Sequence, residues 1–255
     1  MLSNHKIFIC FAAEDRYTIA EPIVYHLKNY GMDVWYDRQS LLLGDNRIEK
    51  NLIQGAGECT YAIVIISNNT ADSVCTMEEL NIIQKRSNKN DIVVFPILYE
   101  IDPCIIPDEL GWIKQLIFKE VNRSSGTRDI CNHITCKITS DILSAFEYTG
   151  IQEVLDKPNN AMPSIVLKLL RCYCSIDTNN LNARVTMLYS AYLTIVELYN
   201  ISDRPLCKLS SKIFERLFSE TSLNISIDYR ELWLLENTIC MLINDYINYC
   251  NESSI

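Results

Sequence analysis

The chain of 255 residues lacks the marks of several common functions. It has seven glycines and no Gly-x-Gly-x-x-Gly or Walker-type loop behind its first apolar run, and Gly55-Ala56-Gly57 closes a helical pattern. A dehydrogenase or triphosphatase that cradles phosphates on glycine amides is therefore disfavoured. Basic charge is short in both halves: 14 Lys+Arg against 20 Asp+Glu up to residue 150, and 9 against 12 after it. Neither half can grip nucleic acid through its phosphates alone. There are three histidines and no Cys-x-x-Cys, so Cys131, His133 and Cys136 make the one Cys/His cluster, and no metal site is expected. The opening run IFICFAA stops at Glu14 and Asp15, too short for a secretory core, and no stretch approaches a membrane span. The expected address is the cytoplasm, with neither membrane nor nucleic acid as partner.

Cysteine, by contrast, is plentiful. The count of eleven is odd, and Cys10 and Cys75 fall in or beside structural elements, so the set reads as reduced and mostly buried thiols.

Apolar runs without alternation recur through the first part: Ile7 to Phe11, Val34 to Tyr36, Ala62 to Ile66, Ile92 to Leu98 and Leu116 to Val121. Such runs are strands covered on both faces. Helical spacing separates them, as in Ile19, Ile23, Leu27 and Tyr30 before the stop at Gly31, then Ile48 to Ile53, then Leu80 to Lys85. The alternation predicts a parallel, doubly wound α/β sheet. Beyond about residue 145 the strand pattern ends, and DKPNNAMP (Asp156 to Pro163) reads as a linker. Two long helical faces follow, one carrying Val185, Leu188, Tyr192, Ile195, Val196 and Tyr199. The other carries Leu232, Leu235, Ile239, Leu242, Tyr246 and Ile247, with Ser226 or Asp228 as its N-cap.

In an open parallel sheet, ligands bind beyond the carboxyl ends of the strands. Three polar loops lie there: Ala12 to Arg16, Asp37 to Arg47, and SNNTADSVCTMEE from Ser67 to Glu79. Spacing gives Glu79 an ordinary explanation, since Thr76-Met77-Glu78-Glu79 fits a capping box in which Thr76 caps a helix and Glu79 reaches back to its amide.

CFAAEDR, then VWYDRQSLLLGDNRIEKNLIQGAGECTYAIVIIS, then SNNTADSVCTMEELNII, then FPILYEIDPCIIP follow one another along the chain. Together these four blocks resemble TIR domains, and in particular the bacterial and plant TIR enzymes, over residues 5 to 145. The resemblance implies a flavodoxin-like, doubly wound five-stranded parallel sheet in a TIR domain of residues 1–145, while the residue pattern by itself places a linker at 146–163 and a small all-helical domain, resembling no named family, at 164–255. The resemblance also implies an NAD nucleosidase that cuts the nicotinamide–ribose bond, giving ADP-ribose or a cyclic isomer, in bacterial antiphage signalling or NAD depletion. NAD is the substrate, and no cofactor is expected.

Ungapped alignment places Glu79 on the family's catalytic glutamate, and a shift of one residue would promote Glu78. Substrate contacts fall to Ala12, Ala13, Arg16, Trp35, Arg38, Arg47, Ser67 and Cys75. The family's Trp position is Cys75 here and its Tyr is Thr70, so either another aromatic, Trp35, Tyr36 or Tyr17, walls the pocket or the nucleotide binds more weakly. Each arginine can equally be a solvated loop charge. Leu41, Leu42 and Leu43 are either a surface for homo-oligomer assembly through this loop or local packing beneath it. The helical domain would engage a protein or nucleotide partner. The competing reading is a TIR scaffold without catalysis, in which Glu79 only caps a helix; a third is a nucleoside-transferring enzyme of similar fold.

Overall fold

In the computed structural model, residues 5–199, 204–222 and 227–253 are described, apart from the side chains at 198, 199, 220–222 and 253. The apolar runs become five parallel strands: β1 (Lys6–Cys10), β2 (Asp33–Trp35), β3 (Tyr61–Ile66), β4 (Val93–Tyr99) and β5 (Lys119–Val121). Their spatial order is β2-β1-β3-β4-β5, the flavodoxin-like doubly wound arrangement. All six residues of β3 are buried, because helices cover both faces of a central parallel strand. The last strand is shorter than the apolar run from Leu116 foretold: Leu116 ends a 3-10 stretch, Asp108–Gln115, and pairing with β4 begins only at Lys119.

Winding reverses between β1 and β3, whose carboxyl ends therefore flank the expected binding edge. Helix α1 (Glu21–Asn29) extends a wider π-type turn at Arg16–Ala20. It ends as its sequence predicted, with Gly31 at φ +83° and the Met32 amide donating to Leu27 O at 3.0 Å. That is a Schellman closure, in which the left-handed residue costs nothing because it lacks Cβ. After the short helix α2 (Asp37–Ser40), residues Ile48–Ala56 form a second π-type helix. It turns Asn51, Gly55 and Ala56 inward.

Helix α3 (Val74–Ser87) buries Thr76, Glu79, Leu80 and Ile83, an i, i+3, i+4, i+7 stripe. Leu80 and Ile83 join Phe8, Cys10, Val64, Ile66 and Leu98 in the core on that side of the sheet. Glu79 is thus the one charged residue on a stripe otherwise made of core-facing side chains.

The remaining helices are α4 (Arg128–Leu143), α5 (Ile151–Asp156), α6 (Ser164–Ser175), α7 (Leu181–Tyr199), α8 (Pro205–Ser222) and α9 (Tyr229–Ser253). The chain divides into two compact units. One takes the chain up to Lys28 with Met32–Cys131, and the other takes Asn29–Gly31 with the chain from Asn132 onward. Most of the predicted faces of the second unit are found: Val185, Leu188, Tyr192 and Ile195 on α7, and Leu232, Leu235, Ile239, Leu242, Tyr246 and Ile247 on α9, are buried, whereas Val196 is only half-buried. The side chain of Tyr199 lies outside the described residues, as does Ser226. Asp228 caps α9 reciprocally: its Oδ1 accepts from the Glu231 amide at 2.8 Å, and Glu231 Oε2 accepts from the Asp228 amide at 3.0 Å. Among the described residues, no helix is long and apolar enough to cross a membrane.

Candidate functional site

The first turn of α3 decides how Glu79 is used. Ser73, with extended backbone, is the N-cap, and its side chain accepts from the Thr76 amide. Thr76 sits one turn inside the helix, and its hydroxyl donates to Phe11 O at 3.0 Å. The capping box expected at Thr76 and Glu79 is therefore corrected: the helix starts three residues earlier and puts Glu79 in its second turn, beyond reach of an N-cap amide.

Glu79 instead faces the sheet and the π-type helix. Its Oε1 accepts from Asn51 Nδ2 at 2.5 Å, and Asn51 Oδ1 accepts from Trp35 Nε1 at 3.2 Å. Residue Glu79 retains 7% of its exposure, and Asn51 retains 5%. Burial pushes the Glu79 carboxyl up to about 7, against hydrogen bonds from Cys10 and Asn51 that favour the charged form; Asp37 reinforces the rise and Arg47 opposes it. The Cys10 thiol is itself raised well above its usual range by burial and by the nearby carboxylate. A carboxyl poised near neutrality at the carboxyl end of β1 has the environment expected of a reacting group.

Glu78, the neighbour that a one-residue shift would promote, is half-buried and paired with Arg47. Arg47 Nη1 is buried and has no hydrogen-bond partner among the described residues. Cys75 is exposed in the first turn of α3. Of the predicted substrate contacts, then, Trp35 reaches Glu79 through Asn51 and Arg47 acts on it electrostatically, while Cys75 stands one turn before it on α3.

The others are engaged in separate pairs. Arg16 makes a two-pronged pair with Asp37, both bonds at 2.7 Å, and also donates to the Tyr36 hydroxyl at 3.2 Å. Its guanidinium lies 5.0 Å from the Phe11 ring centroid. Ser67 is buried and donates to Asp15 Oδ2, while Asp15 Oδ1 accepts from Asn69 Nδ2 at 2.8 Å. Ala12 is buried, with its carbonyl accepting from the Asp15 amide, and Ala13 opens the exposed turn that follows. Arg38 is exposed, donates to the Tyr17 hydroxyl at 3.1 Å and lies 5.6 Å from that ring's centroid. Leu42 and Leu43 project fully into solvent, and Leu41 is half-buried.

Sequence reading missed Asn51, Cys10 and Asp37 as neighbours of Glu79. Asn51 had a detectable signal: it precedes Gly55 by one turn, so a polar side chain shares a face with the smallest residue. Cys10 had none, being one more residue of a buried strand.

No disulfide joins any of the eleven cysteines, all of which are among the described residues, and six of them are buried. Cys131 and Cys136 direct their thiols at different carbonyls, of Ile23 and Arg230. Among the described residues, no group of three or more His, Cys, Asp or Glu side chains could hold a metal ion.

A doubly wound parallel sheet with an inward carboxylate beside its switch point defines an α/β protein with a ligand edge at β1 and β3. Residues 7–129 match the family model of the TIR domain, and this part of the chain is a TIR domain. It is 33% identical over 101 residues to the NAD(+) hydrolase TcpC of Escherichia coli O6:H1, covering 39% of this chain and 33% of that protein. It is 34% identical over 98 residues to the 2' cyclic ADP-D-ribose synthase BtTIR of Bacteroides thetaiotaomicron, covering 38% and 34%. The chain thus spans about a third of the length of the curated relatives it matches. Among solved structures, the TIR domain of the Toll-related receptor TRR-2 from Hydra magnipapillata superposes with a TM-score of 0.37 at 19% identity, over 45% of this chain and 82% of that one.

Proposed function

We propose that this chain cleaves the bond between nicotinamide and ribose in NAD, with Glu79 as the catalytic carboxylate. The observation that carries the reading is the placement of Glu79: inward, nearly dry, held by the Asn51 amide and not by its own helix. The names of the TIR relatives point the same way.

One carboxylate suffices for this chemistry. Glycosidases ordinarily need an acid to protonate the leaving oxygen as well as a second carboxylate. Nicotinamide in NAD is a pyridinium, so when the carbon–nitrogen bond breaks, the electron pair goes to nitrogen and the base leaves neutral and unprotonated. What remains is positive charge on the ribose, and a fixed carboxylate in a poorly hydrated site stabilises it more than water would. The ribose carbon is then taken by water, giving ADP-ribose, or by a nucleophile within the same nucleotide, giving a cyclic isomer.

Arg16 spends three of its five donors on Asp37 and Tyr36, so the pyrophosphate falls first to Arg38 and to Arg47, whose Nη1 has a donor to spare. The solvent-facing Leu42 and Leu43 support self-assembly through that loop. By analogy with TIR enzymes, the setting is cytoplasmic immune signalling or NAD depletion, with the helical unit receiving a partner.

The test is to incubate the chain with NAD, at protein concentrations that favour assembly, and follow free nicotinamide while separating the nucleotide products. Nicotinamide release that disappears in Glu79→Ala supports the reading. An assembled, folded protein that leaves NAD intact would overturn it in favour of a scaffold.

A further inference from the structure

We infer that Asn51 is a positioning residue for Glu79: the Trp35 indole locks its amide in one orientation, so that it offers the carboxylate only donor hydrogens. The inference rests on the reading of Glu79 as the catalytic group and adds how that group is kept aimed and charged.

An asparagine amide has an accepting end and a donating end of nearly the same shape. Left alone, it can present either. Trp35 Nε1 can only donate, and it lies 3.2 Å from Asn51 Oδ1. The accepting end is therefore spent on the indole, and Nδ2 is what meets Glu79 Oε1 at 2.5 Å. With both side chains almost wholly buried, water offers little substitute for this bond.

The indole is held in turn. A Cβ on Gly55 would fall 2.9 Å from Trp35 Nε1 and 2.8 Å from the Phe8 ring. The π-type helix approaches β1 and β2 this closely because residue 55 has no side chain, and Asn51 stands one turn before it on the same face.

The other groups facing Glu79 lack this locked geometry. Cys10 from β1 supplies a weak thiol donor whose sulfur also lies 3.8 Å from Thr76 O. Asp37, after β2, repels a charged Glu79 and is already bound by Arg16. Arg47 is directed at Glu78, the neighbouring carboxylate on α3. Asn51 is the amide bonded directly to the carboxylate, where the Cys10 thiol also favours the charged form, and a flipped amide would instead point a carbonyl oxygen at it and favour the protonated acid.

Asn51→Ala should move the acid limb of the pH–rate profile upward by about one pH unit, a roughly tenfold loss below neutrality that recovers on the alkaline side, with kcat changed more than KM. Trp35→Phe removes the lock without removing the amide, and the limb should move in the same direction by less. The matching readout without turnover is the 13C signal of the Glu79 carboxyl, assigned by its loss in Glu79→Gln and titrated in each variant. If the wild type releases no nicotinamide while that signal still titrates higher in Asn51→Ala, the catalytic reading falls and the coupling stands. If Glu79 titrates alike in wild type and folded Asn51→Ala, the positioning role is overturned. Should Asn51→Ala not fold, Trp35→Phe decides by the same titration.

Discussion

The hydroxyl of Thr76 donates to the carbonyl oxygen of Phe11 at 3.0 Å, tying the first turn of α3 to the end of β1. That bond commits Thr76 to the sheet side, leaves capping to Ser73, and sets Glu79, three residues on, on the same inward face.

Glu79→Gln preserves volume and removes the charge. Nicotinamide release should fall by at least about a hundredfold, the scale of losing a preorganised electrostatic partner of a transition state. Far-ultraviolet circular dichroism should match the wild type.

The same carboxyl links stability to pH. Its folded value of about 7 exceeds the ordinary 4.5, so the folded state holds the proton more tightly. Its stabilising contribution is complete below pH 4.5 and is lost as pH rises through 7, an effect on the order of 3 kcal/mol. Urea denaturation of wild type and Glu79→Gln should therefore diverge with rising pH, with the wild type losing ground. Cleavage, which needs the charged form, should rise over the same interval with a midpoint near 7.

Asp15→Ala should cost about 3 kcal/mol, read as a lowered thermal midpoint. It leaves the Ser67 hydroxyl and the Asn69 amide without their acceptor in a region where Ser67 is buried.

Gly55→Ala should destabilise by about 1–3 kcal/mol, because the new methyl overlaps Phe8 and Trp35. Tryptophan fluorescence should shift as the indole moves, and an alanine that leaves both stability and emission unchanged would refute the close packing.

In the helical unit, Asp228→Ala should cost about 1 kcal/mol by removing the N-cap of α9. Equilibrium denaturation is the measurement, and Asp228→Ser should restore most of the loss.

What the sequence determined by itself were the features that depend on local pattern. Runs such as Ala62–Ile66, apolar without alternation and rich in β-branched residues, read as strands covered on both sides, and Gly31 marked the end of α1. The alternation of these runs with helical stripes was enough for the doubly wound sheet, and the spacing within α7 and α9 was enough for their buried faces. The tertiary structure alone decided the surroundings of Glu79. Asn51 reaches it across 28 residues and Cys10 belongs to strand β1, contacts that no periodicity encodes. It also settled the competition for Thr76, since a hydroxyl three residues from a glutamate reads as a cap until a distant carbonyl claims it. Local propensity fixes which face of a helix turns inward, whereas which polar groups meet there depends on how separate elements pack, and so does the charge that a buried carboxylate keeps.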